Sequence, residues 1–136
     1  MEHYEGSCGC GAVHYVFQDK PINSAFCYCK ECQIRTGSDK WFGLWVPKAK
    51  LSFTKDTPVS FTRVSDAGNN VHMLFCGRCG TTLCGEVEAK GIYSVSVATL
   101  NNGHDMSPNM AIFTASAPDS ALFPEGVPKF DTLPGH

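Results

Sequence analysis

Seven of the eight cysteines in this chain fall into three short clusters: Cys8-Gly9-Cys10, Cys27-Tyr28-Cys29 extended by Cys32, and Cys76-Gly77-Arg78-Cys79. No other feature narrows the possible folds as much. C-x-C and C-x-x-C pairs place sulfurs from one tight turn around one ion, whereas disulfides normally close longer loops. The N-terminal "MEHYEGSCGC" has neither a basic start nor an apolar core. It therefore does not read as a secretory signal, and a reducing, cytoplasmic compartment is expected. Metal binding is the expectation, and a disulfide framework is not.

Between the clusters the chain reads as β. "AVHYVF" (12–17) alternates, with Val13, Tyr15 and Phe17 on one face. "KWFGLWV" (40–46) is aromatic and is stopped by Pro47. "LSFT", "SFTRVS", "VHMLF" (71–75), "TTLCGEV" and "IYSVSVATL" follow, with "EAKG" as a hairpin connection. A second short strand is expected to end near Phe26. Helical periodicity is confined to one short turn around Lys30–Ile34. The tail from Pro118 holds four of eight prolines and is expected to run extended over the surface. With 136 residues and 43% hydrophobic content, the expected architecture is one domain, 1–136, mainly β and antiparallel. A formal charge of −2 and pI near 6.2 give no general attraction to nucleic acid. No apolar run reaches membrane-spanning length.

Counting ligands divides the cysteines. Cys8, Cys10, Cys76 and Cys79 make two pairs that together close a four-thiolate tetrahedral site. "FCGRCGTTL" has the form of a zinc knuckle, in which Gly80 can take a positive φ. Cys27, Cys29 and Cys32 remain, with Cys84 isolated. At ~3.3 Å per extended residue, Cys84 lies about 16 Å beyond Cys79, too far for the knuckle's ion. It reads as a buried, inert thiol, with closure of the other site as its alternative role. Among the histidines, His3 and His136 are near the termini, His14 is mid-strand and His72 sits between apolar residues. Only His104, in the polar loop "NNGHDMSP", is kept as a possible site residue. The trio then has a free fourth position, the form of catalytic zinc sites. Three thiolates make the ion a poor Lewis acid for water but a good holder of an incoming thiolate. Sulfur chemistry is accordingly favoured over hydrolysis.

"GSCGCGAVHYVF", "CYCKECQIRTG", "FCGRCGTTL" and "SPNMAIFTASAPDSALFPEGVPKFD" resemble the glutathione-dependent formaldehyde-activating enzyme family. That family shares its domain with centromere protein V and a zinc-stapled fold called a β-tent. The resemblance runs from Gly6 to Asp131. It implies two zinc ions: a structural one on Cys8, Cys10, Cys76 and Cys79, and a catalytic one on Cys27, Cys29 and Cys32, whose open position glutathione sulfur or water fills. It further implies a carbon–sulfur lyase type of reaction joining formaldehyde to glutathione as S-hydroxymethylglutathione. Two departures touch no ligand and bear on substrate: Tyr28, where many members have histidine, and Met110-Ala111 in the C-terminal block.

Two functional readings follow. The first is a zinc-dependent enzyme acting on a glutathione or related thiol adduct, for which Lys30, Arg35 and Lys40 are available cations. The second is a non-catalytic zinc-stapled domain that docks a protein, which an exposed aromatic patch around Trp41 and Trp45 would favour. Trp41 and Trp45 share a strand face and are expected in the core. Nucleic-acid binding is suggested only by the centromere relative and opposed by the acidic charge.

Overall fold

The computed structural model describes residues 2–65 and 68–134, which leaves His136 outside the described residues. In chain order the elements are β1 (His3–Ser7), β2 (His14–Gln18), β3 (Asn23–Cys27), α1 (Lys30–Thr36), β4 (Trp41–Pro47), β5 (Leu51–Lys55) and β6 (Val59–Val64). Then come β7 (Asn70–Phe75), β8 (Thr82–Val87), β9 (Ile92–Ser96) and β10 (Met110–Ile112). β1, β2 and β5 form a three-stranded sheet. A seven-stranded sheet runs β10-β3-β4-β9-β8-β7-β6. No described helix is long and apolar enough to cross a membrane.

The strands form where β-branched and aromatic residues alternate with polar ones, because each pleat sends successive side chains to opposite faces. Leu44, Val95, Cys84 and Leu74 lie in register across β4, β9, β8 and β7, making one buried row. That row packs with Tyr15 and Phe17 of β2 and Leu51 of β5, so the main core lies between the two sheets. "EAKG" does connect β8 to β9: it forms a single 3₁₀ turn that Gly91 closes at φ 62°.

Two expectations need correction. The large sheet is mixed, since β10 pairs with β3 in parallel while its other five pairings are antiparallel. Parallel pairing is possible because β10 reaches β3 after a long connection, with no hairpin to impose antiparallel direction. Second, β1 precedes Cys8, so the Cys8–Cys10 pair sits in a hairpin turn and not ahead of the first strand. "HYEGS" lacks the apolar alternation that would announce a strand, and its pairing with β2 supplies what its sequence does not. β10 adds a further strand, and the tail runs beside it: Ala111 N–H donates to the Pro128 carbonyl and Phe130 N–H donates back to the Ala111 carbonyl.

The large sheet also curls. At ~4.8 Å between strands, β3 and β6 would lie about 24 Å apart in a flat sheet. Yet Arg35 on the short helix after β3 stacks over Phe61 of β6, 4.3 Å from the ring centroid, and Glu31 lies 3.7 Å from Arg63. The two ends of the sheet meet through α1, and the face turned away from the main core becomes concave.

Candidate metal centres and an adjoining cleft

Two groups of cysteines converge, and in each all sulfurs lie within 4.8 Å of one another. Among the described residues these are the only His/Cys/Asp/Glu clusters so arranged. The first joins the β1–β2 turn to the β7–β8 turn through Cys8, Cys10, Cys76 and Cys79. Its Cys8–Cys10 and Cys10–Cys76 sulfur separations are 3.7 and 3.8 Å. Four thiolates around an ion at zinc's ~2.3 Å bond length give tetrahedral edges of about 3.8 Å, so the donor set fits such an ion. Backbone N–H groups point at the sulfurs: Val13 to Cys8 at 3.3 Å, Arg78 and Cys79 to Cys76 at 3.3 and 3.4 Å. Gly80, at φ 81°, lets its N–H return to the Cys76 carbonyl and closes the knuckle. The Thr81 hydroxyl bonds Cys79 at 3.2 Å, and with backbone N–H groups holds that thiol down to about 5.

The second group is built at one junction. Cys27 ends β3, Cys29 caps α1 and accepts the Cys32 N–H at 3.3 Å, and Cys32 lies in the first turn. Gly37, at φ 71°, ends the helix. The Cys29 and Cys32 sulfurs are 2.9 Å apart, well beyond a disulfide bond of about 2.05 Å. Opening that pair by about 0.9 Å gives the edge of a thiolate tetrahedron. Hydrogen bonds from Cys27 and Cys32, the Cys32 N–H and the nearby charge of Arg63 hold the Cys29 thiol down to about 3. Cys27 is pushed up to about 12, chiefly by its bond to Cys29, and Cys32 is pushed up by both neighbours. Within the trio, Cys29 is the thiol favoured to lose its proton first.

Cys84 belongs to neither group. It is buried in the core row between Leu74 and Val95, and burial pushes its thiol up. His104 is largely exposed beside Asp105, His3 contacts Glu5 and Gln18, and His72 contacts Thr62 and Glu88. None of them joins a cysteine group.

Beside the trio the concave face holds a cleft of about 280 Å³. Its floor comes from one face of the large sheet: Trp41 and Trp45, then Ile92 and Ser94, then Gly85 and Val87, then Val71 and Met73. Trp41 and Trp45 do share a face, but that face is the cleft floor and not the main core. Trp41 Nε1–H donates to Ser94 Oγ at 3.0 Å, and Lys90 Nζ lies 5.2 Å from the Trp45 ring centroid. Phe113, at the rim, has φ 54°, a costly conformation for an aromatic residue. Of the three cations considered from sequence, Lys30 and Arg35 line the cleft, whereas Lys40 stacks over Phe26 and Tyr28 and pairs with Asp39. Arg63 and Lys90 line it too and were not anticipated: the meeting of α1 with β6 brings in Arg63, and the β8–β9 turn brings Lys90 over Trp45. Tyr28 is fully buried, packs on Phe123 of the tail and donates to the Leu122 carbonyl. It holds the tail and does not line the cleft.

A mainly β fold carrying two metal-capable cysteine clusters, one of them opening on a cleft, defines the class. The family described as glutathione-dependent formaldehyde-activating enzyme matches residues 3–116, most of the chain. The chain belongs to that family. A crystal structure of a Rhodobacter sphaeroides protein from a structural genomics programme has the same fold, with TM-score 0.58 at 18% identity. The match covers 92% of this chain and 98% of that one. No curated protein matches.

Proposed function

We propose that this protein is a zinc-dependent enzyme that makes or breaks a carbon–sulfur bond in an adduct of glutathione or a related thiol. The observation that carries the reading is the three-cysteine group: three sulfurs within 4.8 Å, no fourth Cys, His, Asp or Glu atom joining them among the described residues, and a cleft alongside. Cys27, Cys29 and Cys32 would hold the catalytic ion, and Cys8, Cys10, Cys76 and Cys79 a structural one. A zinc ion on three thiolates supplies an exchangeable position where a thiol is held as thiolate. In the forward direction a sulfur–carbon bond forms, the carbonyl π bond breaks, and the thiol's proton ends on the new hydroxyl oxygen. The apolar floor of Trp41 and Trp45 keeps water from the sulfur, and Arg63 and Lys90 offer charge to an anionic thiol. The docking-module reading loses its motive, since the aromatic patch that would serve it is enclosed in the cleft.

Cobalt substitution tests this. Glutathione added to the cobalt-loaded protein should strengthen the sulfur-to-metal absorption. Carbon-13 formaldehyde with glutathione should then equilibrate with its adduct faster than without protein. A spectrum of two complete four-thiolate sites, indifferent to glutathione, would overturn the proposal.

A further inference from the structure

The floor of the cleft has a shape of its own. Cys27 pairs across the strands with Trp41, and opposed residues of an antiparallel pair share a face with Cβ atoms about 5 Å apart. The Trp41 indole therefore stands next to the trio, and its Nε1–H reaches on to Ser94 Oγ at 3.0 Å. Beyond it one row of the same face crosses the strands: Trp45 on β4, Ser94 on β9, Gly85 on β8 and Met73 on β7. The two middle members are the smallest, so the row dips between an indole and a thioether. A Cβ on Gly85 would already meet Met73 Sδ at 3.3 Å and Val71 Cγ1 at 3.4 Å. The dip is a slot walled by large side chains.

Three strand spacings of ~4.8 Å make this row about 14 Å long. The single carbon of formaldehyde ends one bond beyond the sulfur and fills none of it. Glutathione is polar along its length, and Lys30, Arg35 and Arg63, on the side of the cleft where α1 meets β6, offer charge to its carboxylates. Laying its peptide groups on the indoles would strip them of water and return no hydrogen bonds. An apolar group gains there instead: Trp41, Val71, Met73 and Ile92 are buried, so the curl shelters this floor from bulk water. A flat ring gains most, because ring–indole contacts and sulfur–ring contacts with Met73 add to the area buried.

We propose that the carbonyl partner of the thiol is an aldehyde carrying an aromatic ring. The ring lies in the slot between Trp45 and Met73 while the carbonyl carbon meets the sulfur at the trio. This rests on the metal-centre reading above and specifies the carbonyl partner which that reading leaves open, with glutathione kept as the thiol. The step balances as it does for formaldehyde: the thiolate sulfur bonds the carbonyl carbon, the π pair goes to oxygen, and the thiol's proton ends on that oxygen. Gly85 is the specificity residue, since a side chain there occupies the slot from a strand three places away from Cys27 in the sheet.

S-(2-phenylethyl)glutathione and S-methylglutathione reproduce the phenylacetaldehyde and formaldehyde adducts without their hydroxyl. Each is titrated into zinc-loaded protein, with binding read from tryptophan fluorescence, since both tryptophans of the chain line the floor. The phenylethyl thioether should bind at least about tenfold more tightly. Exchange between carbon-13 phenylacetaldehyde and its glutathione adduct, followed by NMR, should be accelerated at lower aldehyde concentration than the exchange of formaldehyde. Gly85→Val should bring the binding ratio close to one while metal content and S-methylglutathione affinity hold. Equal binding of the two thioethers, or a ratio that survives Gly85→Val, overturns the inference. Should that variant fail to fold, Trp45→Ala, read by calorimetry, decides by the same ratio. If formaldehyde exchange is accelerated and phenylacetaldehyde exchange is not, the metal-centre reading stands and the inference falls. If neither is accelerated, both fall.

Discussion

At Gly43 a Cβ would lie 2.2 Å from Ser94 Oγ and 2.5 Å from Trp41 Nε1. The bare backbone there is what allows the Trp41 indole to lie across the floor and reach Ser94. Gly43→Ala forces the indole or the serine aside, and overpacking of this kind costs about 1–3 kcal/mol. The expected outcome is a lower melting temperature together with a shifted tryptophan emission, both measurable on one sample. Cys84 makes a contrasting case. It is 2% exposed and touches only core neighbours, so Cys84→Ala should cost about 1–2 kcal/mol in denaturant titration and leave metal stoichiometry unchanged. Loss of one metal equivalent would show that Cys84 is a ligand. That a cysteine in "TTLCGEV" was a packed thiol was readable from its isolation. That its sulfur completes a four-strand row was not, since the row exists only in the pairing register.

Among the elements, two turns share the work of closing the fold. The β1–β2 turn and the β7–β8 turn are 66 residues apart at Cys10 and Cys76, and their cysteine group and the Gly9–Thr81 bond join them. A structural ion on such ligands can supply on the order of 10 kcal/mol, comparable with the whole stability of a domain. Cys76→Ser, at a position 1% exposed, is therefore expected to abolish the cooperative thermal transition. An unchanged melting temperature would refute the structural role. The tail depends on a smaller anchor. Phe123 packs on Tyr28 with ring centroids 4.9 Å apart, and the Tyr28 hydroxyl reaches Leu122. Phe123→Ala should cost about 1 kcal/mol and speed hydrogen exchange at the Ala111 and Phe130 amides, with little effect on strands β7 and β8. Exchange that accelerates uniformly would mean that the tail is part of the global unfolding unit.

For the molecule as a whole, the two cysteine groups should differ in how readily they release metal. One gathers four cysteines from distant turns, whereas the other gathers three from a single junction and opens on the cleft. Mild chelation is expected to remove one equivalent quickly with far-ultraviolet dichroism intact, and the second only with loss of structure. Simultaneous release of both, or unfolding with the first, would contradict the division of roles.

Much of this was legible before any coordinates, because it depends on local spacing. C-x-C and C-x-x-C turns aim their sulfurs together whatever surrounds them, alternation marks a half-buried strand, and Gly80 and Gly91 announce the backbone conformations their turns require. The grouping of the cysteines, the β content and the division into two clusters follow from such short-range rules. The parallel β10–β3 pairing, the strand at "HYEGS" and the cleft itself do not, because each depends on which distant segments become neighbours. Trp41 and Trp45 illustrate the limit: alternation places them on one face, but only the curl of the large sheet decides that this face is concave and not core. Arg63 illustrates it further. It is one more basic residue in an edge strand until the sheet bends through α1 and brings β6 beside Cys29, 34 residues away in the chain, because curvature is a property of seven strands together and is written in no one of them.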